Sequence, residues 1–316
     1  MTDDLWVYPL GTRVRDGLSV LIDDSIDDWQ HTSLMVLDLP PGERREFDLG
    51  DREAIVVPLV GPVTVQTEDA AGSHLAALAG RPSVFAGPTD VAYLPRGSRL
   101  TLIGPDEGTS RVAITLAMVA GDGSTPPFRH LPVAEVPVEL RGTGQCSREV
   151  RNFGIPGVLD ADSLIACEVI TPAGNWSSYP PHKHDVERPG EETALEEIYY
   201  FEVQVAAELA ADAPNNADAV GYQRVYASDD RPIDVLAEVR SGDVLLVPYG
   251  WHGPAMAAPG YDLYYLNVMA GAGPERAWLI CDDPAHSWIR QTWPATAADP
   301  RLPLSPPGRP TAPAQR

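Results

Sequence analysis

The chain is poor in cysteine, poor in basic residues, and has no long hydrophobic run. Its 316 residues include three cysteines, Cys146, Cys167 and Cys281. They are far apart and form no CxxC, which argues against a zinc ribbon and a disulfide scaffold. They read as small buried apolar residues. Lys and Arg total 23 against 45 Asp and Glu, a formal net charge of -22. That field repels nucleic acid and anionic membrane surfaces. An anionic ligand would need a local cation. No apolar stretch approaches the ~20 residues of a membrane span. The start, MTDDLWVYPL, lacks a basic-then-apolar signal. The expectation is a cytoplasmic protein with no nucleic-acid or membrane partner.

Hydrophobic residues make up 44% of the chain, enough for real cores, and the length suits two domains. Long 3.6-residue periodicity is scarce; helix is expected only near 130–140 and 205–212. Short runs rich in Val, Ile, Tyr and Leu dominate instead: 54–60, 91–95, 111–120, 198–203, 243–248 and 262–270. Gly, Pro or Asp bounds each one, the pattern of strands. The fold class is all-β, in sandwiches or barrels. The proline-rich tail at 296–316 reads as extended or disordered.

A repeat runs through the chain. DVAYLPRGSR (90–99) and DVLLVPYGWH (243–252) share D-V-x-x-[LV]-P-x-G-x-[RH]. LPPG (39–42) resembles ITPAG (170–174), and LAMVAG (116–121) matches LNVMAG (266–271). Three matches in one order imply a duplicated β domain. The expected division is 1–135, 136–295 and the tail. The copies differ at polar positions. Arg99 stands where the second has His252, Ala117 where it has Asn267, and Ala54 where it has Glu197. Nothing in the first copy matches His182-x-His184. The first copy reads as a degenerate scaffold without metal, and the second as the carrier of the chemistry.

Alternate strand residues share a face, so His182 and His184 project together while Lys183 turns away. With Glu197, at the start of the next strand, and His252, they form a three-nitrogen, one-oxygen set for a divalent transition metal. Zinc leads; manganese, iron and nickel suit the same ligands. Glu191, Glu192 and Glu196 are alternatives to Glu197. Taken alone, the two histidines also fit a polar loop, and the tyrosines fit a core.

The set resembles the cupin superfamily, whose motifs are Gly, then HxH, then Glu, and later G-x5-P-x-G-x2-H. Here Gly174 precedes His182 and His184, and Gly242 leads to Pro248, Gly250 and His252. Glu197 follows His184 by thirteen residues, farther than the usual three or four, and the second motif is one residue short. NWSSYPPHKHD (175–185), EETALEEIYYF (191–201), QRVY (223–226), GYDLYYLNVMAG (260–271), SVFAGPTD (83–90) and EVRNFG (149–154) narrow the resemblance. They resemble the 5-deoxy-glucuronate isomerase family of inositol catabolism, from about residue 30 to 290.

The resemblance implies two tandem cupin barrels, a bicupin. It also implies an aldose–ketose isomerase turning 5-deoxy-D-glucuronate into 5-dehydro-2-deoxy-D-gluconate. Glu196 or Tyr199 is the expected proton carrier, with Tyr265 an alternative. Arg224, Tyr265 and Asn267 are the expected substrate contacts, although Arg224 could instead pair with a carboxylate of the chain. His286 reads as a domain or subunit contact. A homo-oligomer is expected, because exposed sheet edges in such folds are often covered by a partner chain. Rival readings are an Fe(II)-dependent dioxygenase, a 4-deoxy-5-hexulose-uronate ketol-isomerase, and a non-catalytic sugar-binding bicupin.

Overall fold

The computed structural model describes residues 4–121, 125–228 and 231–304. Each half is a pair of antiparallel sheets. In the first half, a large sheet runs Arg129–Leu131, Val91–Leu94, Arg52–Val60, Ser110–Met118, Thr32–Leu39, Val20–Ile22. Its small sheet runs Arg44–Asp48, Arg99–Ile103, Val63–Asp69, Gly72–Leu78. In the second half, the large sheet runs Val7–Tyr8, Val244–Val247, Glu196–Val205, Tyr261–Ala270, Ile165–Thr171, Arg148–Gly154, Val138–Arg141. The small one runs Arg231–Val239, Gly221–Ser228, Trp251–Ala257, His182–Lys183, Cys281–Asp282. This is a bicupin, with each expected strand overlapping an observed one.

The crossing between halves falls between Leu131 and Val138. One segment departs from a simple division at 135. Val7–Tyr8 pairs with Leu245 and Val244 of the second barrel. The expected helices are only 3-10 turns, Val133–Glu135 and Ala207–Leu209. Pro132 and Pro137 flank the first, and neither segment is long enough to nucleate an α-helix. The tail also begins differently from expectation. Asp299 accepts from Asn175, Arg301 donates to the Ala173 carbonyl, and the Leu304 N–H donates to Glu149. Residues 305–316 lie outside the described residues.

The register shows which positions correspond. Ala54 lies opposite Leu94 and Leu116; Glu197 lies opposite Val247 and Met269. Ala54 and Glu197 are therefore equivalent, as the repeat implies. Leu116, however, matches Met269, three residues from its partner in the LAMVAG match. Asn267 thus corresponds to Ile114, not Ala117. A string of small apolar residues carries little register information, and an odd shift moves a side chain to the opposite face. Arg99 is also not the inward counterpart of His252. It is exposed, and Leu100 is buried inside the first barrel.

Leu37, Val56, Leu94, Leu100, Leu102 and Ile114 belong to the first barrel's own apolar core. A second core spans both halves, with Ile22, Leu34 and Val57 from one and Phe153, Leu266 and Val268 from the other. Two carboxylates clasp the barrels reciprocally. Glu196 accepts the N–H groups of Gln30 (3.2 Å), His31 (2.7 Å) and Thr32 (2.5 Å). Its counterpart Glu53 accepts those of Asp162 (2.7 Å), Ser163 (2.6 Å) and Leu164 (2.6 Å). Each caps the start of a strand in the other barrel. A buried cluster adds to this join: Glu168 pairs with Arg81 and accepts from Tyr264 at 2.7 Å.

Candidate metal centre

Three histidines converge inside the second barrel. His182 lies opposite His252, and the candidate ligand atoms of His182, His184 and His252 lie within 4.8 Å of one another. A bulge aims His252. Gln223 pairs with Ala255 while Val225 pairs with His252, so two residues on one strand face three on the other. Such an irregularity re-aims a side chain. At Gly253 an added Cβ would lie 1.8 Å from the Ser178 carbonyl oxygen, so only glycine permits this approach.

Second contacts fix the imidazoles. His184 Nδ1 lies 3.1 Å from the Leu195 carbonyl, and His252 Nδ1 lies 3.2 Å from the Gly250 carbonyl. Donation to these oxygens leaves each Nε2 as the inward lone pair. Both Nε2 atoms stand 3.1 Å from Glu197 Oε2. His252 Nε2 is buried and has no hydrogen-bond partner among the described residues. Lone pairs facing a carboxylate oxygen in a buried site call for a cation. Burial, with His252 and His184 alongside, drives His182 well below its ordinary value, so it is neutral. Three nitrogens and one oxygen in this state fit a divalent transition metal.

Strand alternation separates the expected site residues. Glu197, Tyr199 and Phe201 share a face, and Tyr199 and Phe201 lie opposite Asn267 and Tyr265. Tyr199 and Tyr265 both contact Ser178 Oγ, at 3.2 and 3.1 Å. Their rings lie 5.0 Å apart between centroids, and Tyr199 lies 6.3 Å from the His252 ring. Burial, together with the Glu197 charge, keeps Tyr199 protonated, well above the ordinary tyrosine range. Burial likewise pushes Tyr265 to about 12.

The structure does not bring Glu196 or Arg224 to this face. Glu196 turns to the inter-barrel clasp, where its oxygens accept backbone N–H groups and Thr32 Oγ1. Arg224 bonds Asp234 at 2.5 Å and the carbonyls of Val225 and Val235. It shares the outward face with Tyr222 and Tyr226, while Gln223 and Val225 face inward with Ala255 and His252. The face-sharing was legible; which face points inward was not. His286 lies beside Tyr179, ring centroids 6.2 Å apart, in an open groove with Arg224 and Trp176.

The long loop before Glu197 has its own organiser. Buried Glu192 accepts from Lys183 Nζ and from the Asp185 N–H, both at 2.9 Å. Lys183, the single lysine of the chain, is thereby tied away from the histidines. Glu191 is exposed. Sequence reasoning also passed over Gln223 and Arg148, both buried. Gln223 stood inside the quoted QRVY, and strand alternation could have separated it from Arg224.

The KduI/IolB family model matches residues 7–289. The chain is 36% identical over 287 residues to a 5-deoxy-glucuronate isomerase of Geobacillus kaustophilus, covering 90% of this chain and 95% of that one. It is 37% identical over 280 residues to one of Shouchella clausii, covering 87% and 94%. Among solved structures, an IolB-like protein of Salmonella typhimurium superposes with a TM-score of 0.77 at 33% identity, over 90% and 99% of the two chains. Oxalate decarboxylase of Bacillus subtilis superposes at 0.59 with 13% identity, over 89% and 80%, a likeness of fold. The fold, the inward-facing histidines and these relatives agree: the chain belongs to the KduI/IolB family.

Proposed function

We propose that the protein is a metal-dependent aldose–ketose isomerase that converts 5-deoxy-D-glucuronate to 5-dehydro-2-deoxy-D-gluconate. The observation that carries this is the buried His182–His184–His252 triad around Glu197, in a chain so similar to relatives bearing that activity's name. A divalent ion, zinc first among the candidates, supplies Lewis acidity toward the carbonyl and neighbouring hydroxyl oxygens. His182, His184, Glu197 and His252 hold it. The net change moves one proton from C2 to C1 and one from the C2 hydroxyl to the old carbonyl oxygen. Tyr199, held protonated, relays the hydroxyl proton at its Oη: it gives its proton to the old carbonyl oxygen and takes the one the C2 hydroxyl releases, with Ser178 Oγ as its hydrogen-bond partner. Tyr265 and Asn267 line the same wall and orient the sugar hydroxyls.

Among the described residues, no helix is long and apolar enough to cross a membrane. The reading includes a cytoplasmic enzyme that self-associates, which sedimentation checks. The main test is proton NMR of 5-deoxy-D-glucuronate with the protein in D2O without oxygen. Ketose with deuterium at C1, formed only by the metal-loaded protein, is expected. Absence of turnover with every candidate metal would sink the isomerase reading. Oxygen uptake would point to a dioxygenase, and preference for 4-deoxy-5-hexulose-uronate to the related ketol-isomerase.

A further inference from the structure

The second barrel holds a buried guanidinium with no carboxylate. Arg148 opens the strand Arg148–Gly154 and alternates onto the face of Val150, which lies opposite Val169 and, through it, Tyr265. It is 8% exposed. Its Nη1 donates to the carbonyls of Cys146 (3.1 Å) and Tyr179 (3.4 Å), and Trp293 lies against the guanidinium. Among the described residues nothing accepts from its Nε or Nη2, and no acid pairs with it. Its neighbours differ. Arg81 pairs with Glu168, Arg151 with Glu149, and Arg290 with Asp282. Acid is not scarce in a chain with 45 Asp and Glu. Burying an unpaired charge is costly, so its retention needs a reason. Burial lowers its pKa only to about 10, which leaves it charged at neutral pH. The Tyr179 carbonyl that it holds follows Ser178, whose Oγ contacts Tyr199 and Tyr265 in the site.

We propose that Arg148 is the carboxylate anchor of the site, presenting its free N–H groups to the acid end of an open-chain sugar acid. This rests on the isomerase reading for the identity of the acid. A planar fork matches a carboxylate better than an ammonium does. Arg148, not Arg224, then sets the preference for an acid over a neutral sugar.

The test uses the full-length, metal-loaded protein, calorimetry and two probes: gluconate, and glucitol, which has CH2OH in place of the carboxylate. Turnover of 5-deoxy-D-glucuronate is measured in parallel. The wild type should prefer gluconate. In Arg148→Met, gluconate affinity should fall about 10- to 100-fold, with KM rising similarly, while glucitol affinity stays constant. Arg148→Lys should recover part of the preference. No gluconate preference in the wild type, or a preference that survives in Arg148→Met, would overturn the anchor. If Arg148→Met does not fold, Arg148→Lys decides: lower gluconate affinity at constant glucitol affinity supports the anchor, and unchanged gluconate affinity overturns it. Arg148-dependent gluconate binding without turnover would instead discard the isomerase reading and keep the anchor.

Discussion

The two barrels share a skeleton and differ in what faces inward. Where the first places Ala54, Leu100 and Ile114, the second places Glu197, His252 and Asn267. The order of the central strands is preserved across these changes, while the register shifts locally at the bulge beside His252, which the first barrel lacks. The comparison teaches that a metal site needs little of the fold itself. A few inward positions and one loop carrying His182 and His184 suffice. The first barrel contributes the surface on which the second is clasped.

The largest effect should come from breaking the polar set. His252→Ala or His184→Ala should abolish bound metal and lower kcat by about 10³-fold or more, read by elemental analysis and the isomerase assay. The first-barrel counterpart should behave in the opposite way. Leu100→Ala should cost about 2–5 kcal/mol in denaturant unfolding and leave metal content and kcat intact. Wild-type protein should bind one metal ion per chain; two would mean that the apolar barrel had been misread.

Adjacent carboxylates sharpen the contrast next. Glu197→Gln should empty the metal site. Glu196→Gln, one residue away, should instead destabilise by about 2–3 kcal/mol with metal retained, since it weakens a charged acceptor of three N–H groups. Glu53→Gln should match it in size. A smaller effect concerns acid. Burial raises the Glu168 carboxyl, but Arg81, then Arg151 and Tyr264, hold it below its ordinary value. Its stabilisation is therefore complete above the unfolded value of about 4.3 and fades as pH falls further. Glu168→Gln should flatten that part of the stability–pH curve.

Much of this was legible in the sequence. Strands show as short apolar runs, and the duplication shows in D-V-x-x-[LV]-P. The shared aspartates of that repeat even keep a common task. Asp90 accepts from Ala79 and Gly80, and Asp243 from Arg240 and Leu10. What was not legible depends on partners far along the chain. Alternation puts Glu196 and Glu197 on opposite faces, but only the folded barrels show that residues 30–32 wait on one of them. Alternation likewise groups Arg224 with Tyr222 and Tyr226 without saying that this face is outward. Arg148 belongs to no motif near the histidines; its distinction is a missing partner, which no sequence displays.

The smallest effect asks whether polarity inside the second barrel is kept for a ligand. Gln223 is fully buried, faces inward beside Val225 and His252, and neither amide atom has a partner among the described residues. Val65 takes the corresponding inward place in the first barrel. An unsatisfied buried amide costs about 1–3 kcal/mol. Gln223→Leu keeps the volume and removes that cost, so the free protein should gain about 1 kcal/mol in denaturant unfolding. If the amide exists to meet a sugar hydroxyl, KM should rise about 3- to 10-fold at the same time, a trade of activity for stability. A gain in stability with unchanged KM would show that Gln223 is a tolerated defect. A loss of stability would show that it bonds something within the fold. Only the paired outcome extends the contrast between the barrels from the metal ligands to the substrate wall.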